Sequence, residues 1–267
     1  MGHQERQVIN STIHATSYQA ACDAILAWAK NRISCYVIPA NVHVVMTGFW
    51  QKPYQQIING AALVTPDGMP LVWALRLLGI KGQQRVYGPD LMLACCDRAQ
   101  QEQVPIYLYG STPLTLAKLE HNLQQWYPDL IIAGSHSPPF RELTPEEAKS
   151  DSQRINESGA GIVFVSLGCP KQEQWMAKQA GNLKAVSNLK AVMIGVGAAF
   201  AFHSGEVSQA PRWLMKLGLE WLYRLATEPR RLWRRYLVNN PTFLLLFTLQ
   251  WSRYWGKSLI GFNPNKH

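Results

Sequence analysis

One acid stands in an unusual place. In LVTPDGMPLVWALRLLG, residues 63–79, Asp67 follows the end of an apolar run and precedes an apolar helical pattern with Pro70 in its first turn. A carboxylate in such a dry strand–helix turn can act as a general base, because burial disfavours its charged form and raises its pKa. It can equally cap the helix that begins near Met69, a common task for aspartate. Other polar turns of the same kind are PANVH (39–43), YGSTP (109–113), LGCPKQE (167–173) and GVGAAF (195–200). Gly110 and Ser111 can hold a phosphate through main-chain amides at a helix N-terminus, or Thr112 can simply cap that helix. GVGAAF, with Gly195 and Gly197, opens like a dinucleotide fingerprint but lacks its third glycine, so no nicotinamide site is expected. Lys171, Gln172 and Glu173 read as first-turn polar residues, the acid favoured by the helix dipole. Cys169 has no histidine placed beside it and reads as a small buried residue rather than a nucleophile. His43, His136 and His203 lack metal-ligand spacing and no Asp-x-Asp occurs, so neither a metal nor another cofactor is expected.

These turns need strands and helices to bring them together. Apolar runs predict strands at 35–39, 61–65, 105–109, 130–133, 161–167 and 191–194. Helical patterns cover 17–31, 41–51, 70–78, 89–101, 113–126, 145–156 and 170–180, five of them with proline near the first turn. Alternation of the two predicts an α/β fold, a Rossmann-like, largely parallel sheet covered by helices. Ligands in such sheets collect at the carboxyl ends of strands, where Asp67 and the other turns lie. SGEVSQAP (204–211) marks a change of composition. It divides a body, residues 1–206, from a C-terminal helical appendage, residues 207–267, with breaks expected at Pro229 and Pro241.

Charge follows the same division. The chain of 267 residues carries a formal +9, yet residues 207–267 hold ten Lys/Arg against two acids while the body is nearly neutral. The appendage also carries Trp213, Trp221, Trp233, Trp251 and Trp255. Arginine, tryptophan and long aliphatics together suit an anionic membrane surface. A partner protein or a second copy of the chain is an alternative. Nucleic acid, which arginine with interleaved aromatics also suits, is not expected over a near-neutral body. The longest apolar stretch, FLLLFTLQW (243–251), is far short of the ~20 residues that span a bilayer. The N-terminus has no apolar run of the secretory kind, and five cysteines without C-x-x-C indicate a reducing compartment.

The stretches PANVH, TPDGMP, RVYGPDLM, YLYGSTP, VSLGCPKQEQWM, IGVGAAF and APRWLMKLGLEWLYRLATEPRRLWRRY together resemble the WecG/TagA/CpsF glycosyltransferases, glycosyltransferase family 26. The resemblance runs through most of the chain. It implies a cytoplasmic enzyme, peripheral on the inner face of the cell membrane, in cell-surface or exopolysaccharide synthesis. Such an enzyme moves a hexose or N-acetylmannosamine-type sugar from a UDP-sugar to a polyprenyl-diphosphate-linked sugar, with inversion. The resemblance makes Asp67 the general base and sets Asn41, Arg85 and Gln172 around the sugars. Gly110, Ser111, Gly195 and Gly197, in the glycine-bearing turns, are expected as further substrate contacts. Arg224, Arg231 and Arg234 would close over the diphosphate. Their spacing of seven and three keeps them roughly on one helical face unless Pro229 breaks it. Three positions depart from the family pattern. Pro39 replaces a threonine, Ala201 an aspartate and Gln209 an arginine, and these changes count against N-acetylmannosamine as the donor. The alternative is a non-catalytic module that binds UDP-sugar and lipid.

Overall fold

Six short apolar runs pair into one sheet in the order β4-β3-β8-β7-β5-β6, every neighbouring pair parallel. The computed structural model describes residues 4–181 and 189–260. A hairpin, β1 (Glu5–Val8) and β2 (Ser11–His14), comes first, followed by α1 (Tyr18–Lys30), β3 (Cys35–Ala40), α2 (Val42–Trp50) and α3 (Lys52–Asn59). Next come β4 (Leu63–Pro66), α4 (Met69–Leu77), α5 (Gly88–Gln101), β5 (Ile106–Gly110), α6 (Pro113–Trp126) and β6 (Ile132–His136). The α/β part ends with α7 (Pro145–Glu157), β7 (Ile162–Ser166), α8 (Lys171–Gln179), β8 (Val192–Gly195) and α9 (Ala199–His203). Three helices follow, α10 (Arg212–Lys216), α11 (Glu220–Thr227) and α12 (Pro229–Ile260).

Successive strand residues enter opposite apolar layers. Tyr36, Ile38, Val163 and Val165 join one, and Val37, Ile162 and Phe164 the other. Both faces are therefore covered, which is why these strands read as continuous apolar runs rather than alternating ones. The predicted α/β architecture is present, with β4 and β6 starting two residues later than the sequence pattern suggested.

The hairpin and α3 were not legible as elements, being short and largely polar. The expected breaks in the C-terminal segment also differ. Pro229 does separate two helices, but as the first residue of α12, where a missing N–H is harmless. Pro241 lies inside α12 without ending it. It sits on the exposed side of the helix, where water can take up the carbonyl its ring leaves free.

The C-terminal segment is packed on the rest of the chain. Phe243 and Phe247, one helical turn apart, are buried in the same apolar layer as Tyr36 and Ile38. Gln250 accepts from the Ile9 amide at 2.9 Å and donates to the Gln7 carbonyl at 2.7 Å, fastening α12 to the hairpin. No helix among the described residues is long and apolar enough to cross a membrane.

Candidate active site

The carboxyl ends of β3, β4, β7 and β8 open into one cavity of about 770 Å³, roofed by the turn after α10, by α11 and by α12. Asp67 lies at its wall, directly after β4. The cap of α4 is Gly68, which makes no side-chain cap bond, so Asp67 does not serve that helix. Its Oδ1 instead accepts from the Gly88 amide at 3.0 Å, and Asn41 Nδ2 lies 3.5 Å from Oδ2. Burial pushes its carboxyl up to about 6, with Arg85 opposing the rise. An acid tuned in this way is a proton acceptor near neutral pH.

Asn41 does two jobs. Its Oδ1 caps α2 by accepting from His43 and Val44 at 3.1 and 3.3 Å, which turns the amide nitrogen toward Asp67. Arg85 Nε donates to the Asp67 main-chain carbonyl, and its Nη2 lies 3.9 Å from Oδ1. Gln172 is buried at the head of α8. Its Oε1 accepts from the Gly197 amide at 3.2 Å and its Nε2 donates to the Gly195 carbonyl at 3.3 Å, so it holds the turn after β8. Asn41, Arg85, Gln172, Gly195 and Gly197 all line the cavity with Asp67.

Gly110 and Ser111 do not line it. A side chain at Gly110, whose φ is +114°, would meet the Ser166 carbonyl at 2.4 Å, and the Ser111 amide already donates to that carbonyl at 3.1 Å. Thr112 caps α6 by accepting from Thr115 at 3.1 Å. This turn ties β5 to β7, and the Ser111 amide is committed to that tie.

The three C-terminal arginines divide. Arg224 on α11 and Arg231 on α12 both line the cavity, brought together by the break at Pro229 rather than by a shared helical face. Arg234 is exposed and does not line it, whereas Arg235 does. The Arg235 Nε is inaccessible to water and has no hydrogen-bond partner, and burial holds this guanidinium below its usual pKa. Arg231 pairs with Glu228.

Glu220 and Tyr87 escaped the sequence reading, which weighed His43 only as a metal ligand. Glu220, at the start of α11, reaches Arg85 at 2.5 Å and accepts from the Tyr87 hydroxyl at 3.1 Å. Its one sequence signal is that it is among only two acids in residues 207–267. His43 is pushed down to about 3 by burial and by Arg235, so it stays neutral. Cys169 is 3.2 Å from the Tyr54 hydroxyl, and burial pushes its thiol up to about 12, which leaves it unreactive. Among the described residues, no three His, Cys, Asp or Glu side chains are grouped to hold a metal ion.

A doubly covered parallel sheet with a tuned acid at its strand ends, faced by arginines of the roof, defines an α/β protein with a candidate catalytic cavity. The chain belongs to the glycosyl transferase WecG/TagA/CpsF family, whose model matches residues 6–257, and it is a glycosyltransferase. It is also similar to a protein of Bacillus spizizenii named N-acetylglucosaminyldiphosphoundecaprenol N-acetyl-beta-D-mannosaminyltransferase. The two are 29% identical over 202 residues, 76% of this chain and 74% of that relative.

Proposed function

We propose that the protein transfers a hexose or N-acetylmannosamine-type sugar from a UDP-sugar to a polyprenyl-diphosphate-linked sugar, with inversion and with Asp67 as the base. The observation that carries this reading is the Asp67 carboxylate, held at the cavity wall by Gly88, Asn41 and Arg85 with its pKa raised to about 6. The relative's printed name supplies the lipid-linked acceptor class.

In this reaction the acceptor hydroxyl oxygen bonds to the anomeric carbon as the bond from that carbon to UDP breaks on the opposite side. The hydroxyl is too weak an acid to lose its proton first. Asp67 takes it late, as the new bond forms, which is typically worth ~10²–10⁴ in rate. The leaving diphosphate gains charge, and Arg224, Arg231 and Arg235, which line the cavity from the roof, support its stabilisation by arginine.

Trp233, Leu237, Leu244, Trp251 and Trp255 recur at helical spacing along an exposed stripe of α12, with Arg230 and Arg234 beside it. That stripe supports a lipid surface as the docking partner, anionic and on the inner face of the cell membrane.

The test is UDP release by the purified protein with detergent-dispersed polyprenyl-diphosphate-linked GlcNAc or glucose. The donors are UDP-glucose, UDP-galactose, UDP-GlcNAc, UDP-ManNAc and UDP-ManNAcA. Acceptor-dependent release with one donor is expected. UDP binding without release from any pair would favour a binding module instead.

A further inference from the structure

We propose that Glu220 is a positioning residue that keeps Asp67 basic by drawing the Arg85 guanidinium away from it. The inference rests on the reading of Asp67 as the proton acceptor. Arg85 Nη2 is 2.5 Å from Glu220 Oε2 but 3.9 Å from Asp67 Oδ1, and all three side chains are largely buried. One guanidinium stands between two carboxylates, and only Glu220 grips its charge closely.

The rest of the geometry fixes that choice. Tyr87 donates to Glu220 Oε1 at 3.1 Å, and the Arg85 guanidinium lies 4.0 Å from the centre of the Tyr87 ring. Arg85 Nε is committed to the Asp67 main-chain carbonyl. Arg85 is thus tethered to the Asp67 backbone while its remaining fork points at Glu220. With Glu220 neutral, that fork is free to close on the Asp67 carboxylate. A paired carboxylate holds its proton less tightly, and its oxygens are no longer open to a hydroxyl.

The other groups around Asp67 do not replace this effect. Tyr18 from α1 and Tyr87 before α5 are both raised by burial and stay neutral. His43 from α2 is neutral too. Arg224 from α11 and Arg231 and Arg235 from α12 line the same cavity and would favour the carboxylate. Glu228 pairs with Arg231, and Glu220 is the acid that faces Arg85 directly. It arrives on the roof, so the basicity of Asp67 depends on α11 being seated over the sheet.

The experiment follows the carboxyl carbon of Asp67 by ¹³C NMR in the full-length protein, assigned by its loss in Asp67→Asn. Glu220→Gln and Glu220→Ala should lower its titration midpoint by about one unit, roughly tenfold in acid constant. Glu220→Asp should stay within about half a unit of wild type. An unchanged midpoint in a folded neutral variant would overturn the proposal. So would failure of both neutral variants to fold, which would make Glu220 a structural fastening only. The titration uses no sugar, so its result is separate from that of the transfer assay. Where transfer is observed, the acid limb of its rate profile should move with the NMR midpoint.

Discussion

At neutral pH the Asp67 carboxylate is less comfortable in the cavity than in water. Its folded pKa of about 6 lies above the ordinary value of 3.8. The folded state therefore binds the proton more tightly than the unfolded chain does. The stability this gives is complete below the unfolded pKa and is lost as pH rises through about 6. Asp67→Asn keeps an acceptor for Gly88 and removes the charge. It should be more stable than wild type at pH 7.5, by at most about 3 kcal/mol, with the gap closing toward pH 4. Thermal melts across that range check this. A variant that melts lower than wild type at pH 7.5 would mean that the charge is needed for folding. At this scale the sequence showed the acid in its apolar turn, and Asn41 and Gln172 in polar turns beside it. It could not show Glu220 gripping Arg85, because 135 residues separate them. Nor could it choose between Arg234 and Arg235. Neighbours on a helix differ by about 100° in direction, and the phase is set by where α12 begins.

In the roof, the short helix α11 is placed by the turn that precedes it. Gly218 joins α10 to α11 with φ of +75°, and a Cβ there would meet the Trp73 ring at 2.9 Å and Met69 Cβ at 3.2 Å. Gly218→Val combines a left-handed backbone with a clash against α4 and should cost about 2 kcal/mol or more. It should also shift α11 and with it Arg224, so the donor KM should rise along with the lowered melting temperature. A normal KM would show that α11 holds its position without this turn. Long elements were legible from period and proline placement, as in α5 and α6, whose prolines fall in the first turn. The hairpin and α3 were not, because they are short and draw their stability from what they pack on. Ser11 and Thr12 give no apolar pattern, and α3 turns only Tyr54, Ile57 and Ile58 inward.

Across the whole molecule, the active cavity exists only where sheet and roof meet. The sheet supplies Asp67 and Asn41, and the roof supplies Glu220, Arg224, Arg231 and Arg235. Composition divided the chain near residue 206, yet Phe243 and Phe247 complete the core of the part before it. Deleting the chain from Val207 would strip that core and report on folding more than on chemistry. The intact chain is therefore the object to test, and the most direct test of Asp67 as the base is the pH profile of acceptor-dependent UDP release. For wild type, kcat/KM should fall below a pH of about 6 as Asp67 takes a proton. Asp67→Asn should fold, lose ~10²–10⁴ in rate and lose that acid limb. An Asp67→Asn protein that kept near-normal turnover with the same limb would contradict the account and leave Asp67 as no more than an acceptor for the Gly88 amide.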